Sequence, residues 1–248
     1  MNKIEVKVLN PAAVKDAEQM MVFCARLTQR GHGIHSMDDL MQLKEKDYTE
    51  GTVKGMCRLP HPTIQKFGVI NVAVVGASRR FLAQITRHQN EVKFMSASLQ
   101  YSDYSGEADF CVPYDILHRG DTHIENYMEV CRDSMRSYQG AILDGVDNDA
   151  AGYMAPQGLR NILIISATPY QWKHMIAQRS CRRNTAETMY VMLMIWEELR
   201  KLSPIFEKCG PFCMNGPCKE GKMTCGRPID RSWTPADIIK ADFPEVAK

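Results

Sequence analysis

Residues Gly68–Tyr101 read GVINVAVVGASRRFLAQITRHQNEVKFMSASLQY. The first part, Gly68 to Val75, is rich in β-branched residues and almost continuously apolar. It predicts a strand buried on both faces. Gly76-Ala77 punctuates the run, and Ser78 to Thr86 follows as a short helical pattern with Phe81, Leu82 and Ile85 as its apolar positions. Arg87 and His88 come next, then a mixed polar run, then Ser96-Ala97-Ser98-Leu99-Gln100-Tyr101. Arg87 offers a charged fork suited to phosphate. Ser96 and Ser98 offer small donors and acceptors, and Phe94 and Tyr101 offer flat faces to a ring. The same residue types also fit a plain helix end whose cationic last turn favours the helix dipole.

Working outward, Glu5 to Leu9 reads as a strand. Pro11 opens a helix through Met20, Met21, Phe23, Cys24 and Leu27, ended by Gly31-His32-Gly33. Ser36 and Asp39 have the spacing of a capping box. Thr52 to Leu59 fits neither pattern clearly and is interrupted by Pro60 and Pro62. On the other side, Ile124, Tyr127, Met128, Cys131, Met135, Tyr138 and Ile142 recur at helical spacing until Gly145, a stripe expected to be core or subunit contact. Leu163 to Ile165 is a second strand. Trp172 to Gln178 and Thr185 to Leu202 are helices. One domain is expected over 1–206, followed by a Cys-, Gly- and Pro-rich tail over 207–248.

Composition narrows the class. The chain has 248 residues, 44% apolar and 24% charged, ordinary for a globular protein with a sizeable core. A net charge of +2 implies no broad attraction to nucleic acid. The strongest apolar run, Met189 to Trp196, is too short to span a membrane. Nine cysteines without an export signal point to free thiols in a reducing cytoplasm. The dinucleotide G-x-G-x-x-G, the P-loop, H-E-x-x-H and G-x-S-x-G are all missing.

Two further segments carry chemistry. In the predicted Trp172–Gln178 helix, His174 and Gln178 lie one turn apart on a shared face, with Arg179 about 140° further round. Arg182 and Arg183 extend a basic helix end. In the tail, Cys209, Cys213, Cys218 and Cys225 with intervening Gly and Pro suit either a thiolate zinc cage or a reduced, irregular tail. The spacing is not the paired C-x-x-C of a ribbon, so no metal ligand is assigned. The tail lies outside both chemical segments and is expected to be separable from them.

Arg87-His88-Gln89 followed by Ser98 resembles the signature of flavin-dependent thymidylate synthases, Arg-His-Arg, seven or eight residues, then Ser. The flanks agree: His61-Pro62-Thr63, the apolar strand, Gly76-Ala77-Ser78-Arg79, then Gln84 and Arg87. The resemblance implies an α/β fold, a single compact domain with a central mostly antiparallel sheet and flanking long helices, assembled as a homotetramer with shared active sites. It implies FAD as cofactor, with His61, Thr63, Arg87, His88, Gln89 and His174 toward the flavin. It implies dUMP as acceptor, with Gln84, Arg87, Ser96, Ser98, Gln100 and Arg179 toward the nucleotide, and Arg179 and Ser98 as the catalytic pair. NADPH and methylene-tetrahydrofolate would be co-substrates.

Departures stand beside the likeness. Gln89 and Gln100 replace usual arginines, Lys66-Phe67 replaces a common Glu-His pair, and Thr168 and Tyr170 replace an Asn and an Arg. Gln89 and Gln100 leave room for a related methylase or hydroxymethylase of UMP or dCMP. A non-catalytic nucleic-acid binder with a zinc-stabilised tail is the reading from a different class. The charge balance and the absence of a basic-aromatic run disfavour it.

Overall fold

A computed structural model describes residues 4–106 and 108–246. Four strands form one sheet: β1 Glu5–Val8, β2 Ile70–Ser78, β3 Val92–Ser96 and β4 Arg160–Ala167, in spatial order β1-β2-β4-β3. Every neighbouring pair is antiparallel. The expected antiparallel sheet is therefore present, and the β-branched run lies inside it as β2. Val74 of β2 faces Val6, and Val72 faces Ile165.

One face of the sheet is the core. Ile70, Val72, Val74, Leu163 and Ile165 are buried and cluster with Trp172, Met175 and Ile176 of the Pro169–Arg179 helix and with Val191, Leu193, Ile195 and Leu199 of the Ala186–Leu202 helix. The Trp172 indole N–H donates to the Ile70 carbonyl at 3.0 Å, so this large ring is buried without an orphaned donor.

The other face departs from the expectation of a strand buried on both sides. Val75, Ile164, Ile162 (53% exposed) and Met95 (71% exposed) lie bare in the single chain. Registers Val75↔Ile162 and Met95↔Ile164 place them together. The β-branched run supplies side chains to both faces by the period-two rule, but helices cover only one.

β3 was not expected as a strand. Lys93 and Met95 are exposed while Phe94 points inward, half-buried, so only one short, mixed face marks it. Before it, β2 ends in an irregularity between Val75 and Ala77, where Gly76 has φ +83°. Ser78 then caps the Arg79–Ile85 helix, its Oγ accepting from the Phe81 N–H at 3.1 Å. Glu187 accepts from the Ser78 N–H and tethers this turn to the Ala186–Leu202 helix.

The ambiguous Thr52–Leu59 stretch holds the end of a short helix, Glu50–Met56, capped by Thr49 and Thr52. Ser36 Oγ accepts from the Asp39 N–H, as its spacing suggested. The Asp121–Leu143 helix buries Cys131, Met135 and Tyr138 in a satellite core with Phe110, Ala151 and Leu159. Residues beyond 206 fold back: Cys209, Met214, Ile229, Ile238 and Phe243 join the main core. Arg182 makes a two-pronged contact with Asp242 at 2.7 and 3.0 Å. Among the described residues, no helix is long and apolar enough to cross a membrane.

Gly68 and Gly145 separate two physical terms. Both have positive φ, but a Cβ on Gly68 would meet the Ala17 Cβ at 3.0 Å, whereas one on Gly145 would meet nothing within 4 Å. Gly145→Ala should carry only left-handed strain, about 1–2 kcal/mol. Gly68→Ala should add overpacking of about 1–3 kcal/mol. Urea unfolding of both variants measures the difference, and equal shifts would contradict it.

Candidate active site

The Pro169–Arg179 helix carries the first half of the site. Thr168 caps it by accepting from the Gln171 N–H, and Pro169 occupies the first turn. Burial of Trp172, Met175 and Ile176 fixes its rotation, leaving His174 and Gln178 on the exposed side and Arg179 half-buried at the end.

Arg179 is held from two sides. Its Nε donates to His88 Nε2 at 2.8 Å, and its Nη1 donates to Asn184 Oδ1 at 3.2 Å. Asn184 is itself anchored, donating to the Gln178 and Cys181 carbonyls. A guanidinium has five N–H donors, so three remain for a ligand. His88 and His174 meet edge to face with centroids 6.1 Å apart.

An imidazole nitrogen that accepts from arginine must be unprotonated, so His88 is neutral with its proton on Nδ1. Burial pushes its pKa down to about 4, with the Arg179 and His174 charges acting in the same direction. Burial, then Lys219, lowers His174. Burial, then Arg87, lowers Arg179. Beside this cationic group lies a cavity of about 570 Å³ lined by His174, Gln178, Arg179, Asn184, Lys219 and Glu220 among others.

The second half lies past the end of β3. The Ala97 N–H donates to the Ile162 carbonyl, extending the pairing by one residue. Ser98 Oγ accepts from the Gln100 N–H at 3.1 Å and from the Tyr101 N–H at 3.4 Å, while Leu99 packs into the satellite core. An open trough of about 690 Å³ is lined here by Ser96, Ser98, Gln100, Arg79, Asp149 and Gln157 among others. With its oxygen occupied by two N–H groups, Ser98 has its hydroxyl proton left to donate.

The expected residues are thus divided. His88, His174 and Arg179 come together at one place, and Ser96, Ser98 and Gln100 at another. The two cavities share no lining residue. Gln84 is half-buried on the intervening helix, and Arg87 and Gln89 are exposed; none of the three lines either cavity. His61 and Thr63 are exposed, beside the 3-10 turn Pro62–Gln65 and on it. That turn is tied to the Pro169–Arg179 helix by Lys173, whose Nζ donates to Gln65 Oε1 at 3.0 Å.

Sequence reasoning missed Asn184, Asp149, Gln157 and the tail residues Phe212, Lys219 and Glu220. Only Asn184 left a local trace, as a capping type of residue just past a basic helix end. The expectation that the tail stands apart is corrected: Phe212, Lys219 and Glu220 line the same cavity as Arg179. Lys219 is held with its Nζ 4.1 Å from the Phe212 ring centre.

Residues 11–205 match the family model described as thymidylate synthase complementing protein. The flavin-dependent thymidylate synthase of Geobacter sulfurreducens is 26% identical over 216 residues, 86% of this chain and 90% of that one. That of Thermococcus onnurineus is 26% identical over 185 residues, 70% of this chain and 75% of its own. In structure, the UMP/dUMP methylase PolB from Streptomyces cacaoi, bound with 5-Br dUMP, aligns with TM-score 0.64 at 15% identity. The alignment covers 84% of this chain and 94% of that one, and at such identity what is shared is the fold.

The neutral state of His88 has a pH consequence. In the unfolded chain a histidine titrates near 6.5; in the fold His88 titrates near 4. Between these values the unfolded state binds more protons. The contribution of this residue is complete above about pH 6.5 and is lost as pH falls through about 4. The His88 imidazole should remain neutral at pH 5.5 by NMR, and His88→Gln should flatten the loss of urea resistance across that window. A ring titrating near 6.5 would contradict the geometry.

Proposed function

The chain belongs to the thymidylate synthase complementing protein family, and from that premise we propose that it is an FAD-dependent thymidylate synthase. It would convert dUMP to dTMP with methylene-tetrahydrofolate as carbon donor and NADPH as reductant. The observation that carries this reading is Arg179, clamped by a neutral His88 and by Asn184, with three donors spare at a cavity ringed by cationic groups.

The residues present fit a flavin nucleotide by their chemistry. Arg87, Arg179, Arg183 and Lys219 supply positive charge, and His88 and His174 supply flat, largely neutral rings. Bound there, FAD would supply the hydride that completes the new methyl group. His61, Thr63, Arg87, His88, Gln89 and His174 are proposed to hold it.

The chain's own task is to make C5 of a neutral uracil nucleophilic. Polarisation of the bound ring places partial negative charge on its N1–O2 side; the attack of C5 on the one-carbon unit then draws electrons from the C5–C6 bond, and the C5 proton is lost afterwards. A preorganised guanidinium there stabilises that charge without reorganising. Arg179 is assigned this role. Its clamps keep the fork oriented, and a neutral His88 adds no competing charge. Ser98, with its hydroxyl proton available, positions the nucleotide together with Gln84, Ser96 and Gln100.

The two cavities share no lining residue, and the sheet carries a bare apolar face. Both features support a homotetramer in which the Ser98 trough of one copy closes on the Arg179 cavity of another. Gln89 and Gln100, in place of charged residues, favour a second reading in which UMP or dCMP is the acceptor. Comparing turnover of the three nucleotides separates the readings.

The protein should take up FAD and show a flavin absorption spectrum; a colourless protein after incubation with excess FAD and dUMP would sink the proposal. Arg179→Lys should slow single-turnover oxidation of reduced flavin about a hundredfold, roughly 3 kcal/mol, because a point charge cannot reproduce the fork. Ser98→Ala should cost one neutral hydrogen bond, on the order of 1 kcal/mol. The reverse order would reassign Ser98 as a chemical group.

A further inference from the structure

We propose that Cys181, Cys213, Cys218 and Cys225 form a four-thiolate zinc site that fixes the C-terminal tail against the wall of the active-site cavity. The four residues come from three separate places: the loop after Arg179, the Phe212–Asn215 turn and the two sides of a loop over 218–225. They line a single cavity of about 170 Å³. Spacing alone cannot reveal this set, since Cys181 lies far from the others in sequence. The set also differs from the tail-only quartet. Cys209 is buried in the main core with its Sγ directed at the Ile205 carbonyl, and it does not line this cavity.

Two features of the cavity suit thiolates. The Ile229 N–H donates to Cys213 Sγ at 3.5 Å; at Cys181 burial pushes the thiol up, opposed by the Arg183 backbone N–H. Backbone N–H groups aimed at sulfur stabilise the charged form. Arg183, Lys219 and Arg227 also line the cavity, and their charge offsets the net negative charge of a zinc ion bound by four thiolates.

A third observation concerns the tail itself. From Gly216 to Pro228 not one side chain is buried, and the segment holds only a three-residue 3-10 turn, Gly221–Met223. A stretch that buries so little apolar surface lacks the means to hold one shape, a role that structural metals take in small irregular segments. Yet this stretch carries Lys219 and Glu220 to the Arg179 cavity.

Among the described residues, no three Cys, His, Asp or Glu side chains are already grouped as a metal cage. Binding must therefore draw the sulfurs inward to about 2.3 Å from the ion. Gly216, Gly221 and Gly226 punctuate this segment, the last two with positive φ, and a Cβ added at any of them would meet nothing within 4 Å. All nine cysteines are free thiols. Ligation would release up to four thiol protons to solvent and consumes no oxidant or reductant.

The full-length reduced chain, incubated with Zn²⁺ and dialysed, should retain one zinc per chain by elemental analysis. Substituted with Co²⁺, it should show the intense visible bands of a tetrahedral thiolate site. Cys181→Ser and Cys225→Ser should each lower zinc retention at least tenfold, and Cys209→Ser should leave it unchanged. Because a serine variant can fail to fold, the cobalt spectrum of the unaltered chain is the independent readout. No retained zinc and no tetrahedral bands in that chain would overturn the proposal. So would iron retained in preference to zinc, or loss of zinc in Cys209→Ser but not in Cys181→Ser.

Discussion

The antiparallel ladder between β3 and β4 is the constraint on which the rest depends. It holds Val92 against Ala167 and Ser96 against Leu163. From Val92 to Ser96 the strand runs roughly 13 Å at the usual rise per residue. His88 precedes one end and Ser98 follows the other, while β4 leads from the same end as His88 into the helix that carries Arg179. The register thus sets where the His88 loop and the Pro169–Arg179 helix meet the sheet, and the Arg179–His88 hydrogen bond joins them. A one-residue slip would turn Phe94 outward and Lys93 and Met95 inward, so the ladder is well specified.

Around that frame the electrostatics are arranged for an anion. Arg87, Arg179 and Lys219 are close enough that their charges are felt within the His88–His174–Arg179 group, where burial also disfavours the charged forms of His88, His174 and Arg179. His88 relieves part of this by remaining neutral and accepting a hydrogen bond from Arg179. A bound phosphate or a uracil ring gaining negative charge would relieve the remainder. The tail completes the wall, because Phe212 seats Lys219, and both line the cavity. Stability and binding are thus opposed here, as they commonly are where charge is concentrated for function.

Much of the fold was legible because it is periodic. The run within Gly68–Val75, the Arg79–Ile85 helix, and the helices Pro11–Arg30, Asp121–Leu143 and Ala186–Leu202 each repeat an apolar position at a fixed interval. β3 escaped because only Val92 and Phe94 mark its inner face, and Met95 on the outer face blurs the alternation. The bare outer face of the sheet escaped because a β-branched run looks the same whether a helix or a second subunit covers it. In the site, Arg87-His88 and His174–Arg179 were visible as dense local chemistry. Asn184 was harder, since its role is to brace Arg179 rather than to touch a ligand. Lys219 and the pairing of Cys181 with the tail thiols depend on chain return over long sequence distances, and no local pattern encodes that.

The central claim is that the Ser98 trough and the Arg179 cavity function as one site only between different copies of the chain. Mixing two inactive variants tests it directly: Arg179→Lys, which disables one half, and Ser98→Arg, which fills the other. After subunit exchange, hybrid assemblies contain sites built from two unaltered halves. For random equal mixing, thymidylate synthesis should recover to about a quarter of the unaltered rate. A mixture that exchanges subunits, as followed by mass, yet stays inactive at every ratio would contradict the claim and place both halves of each site within one chain.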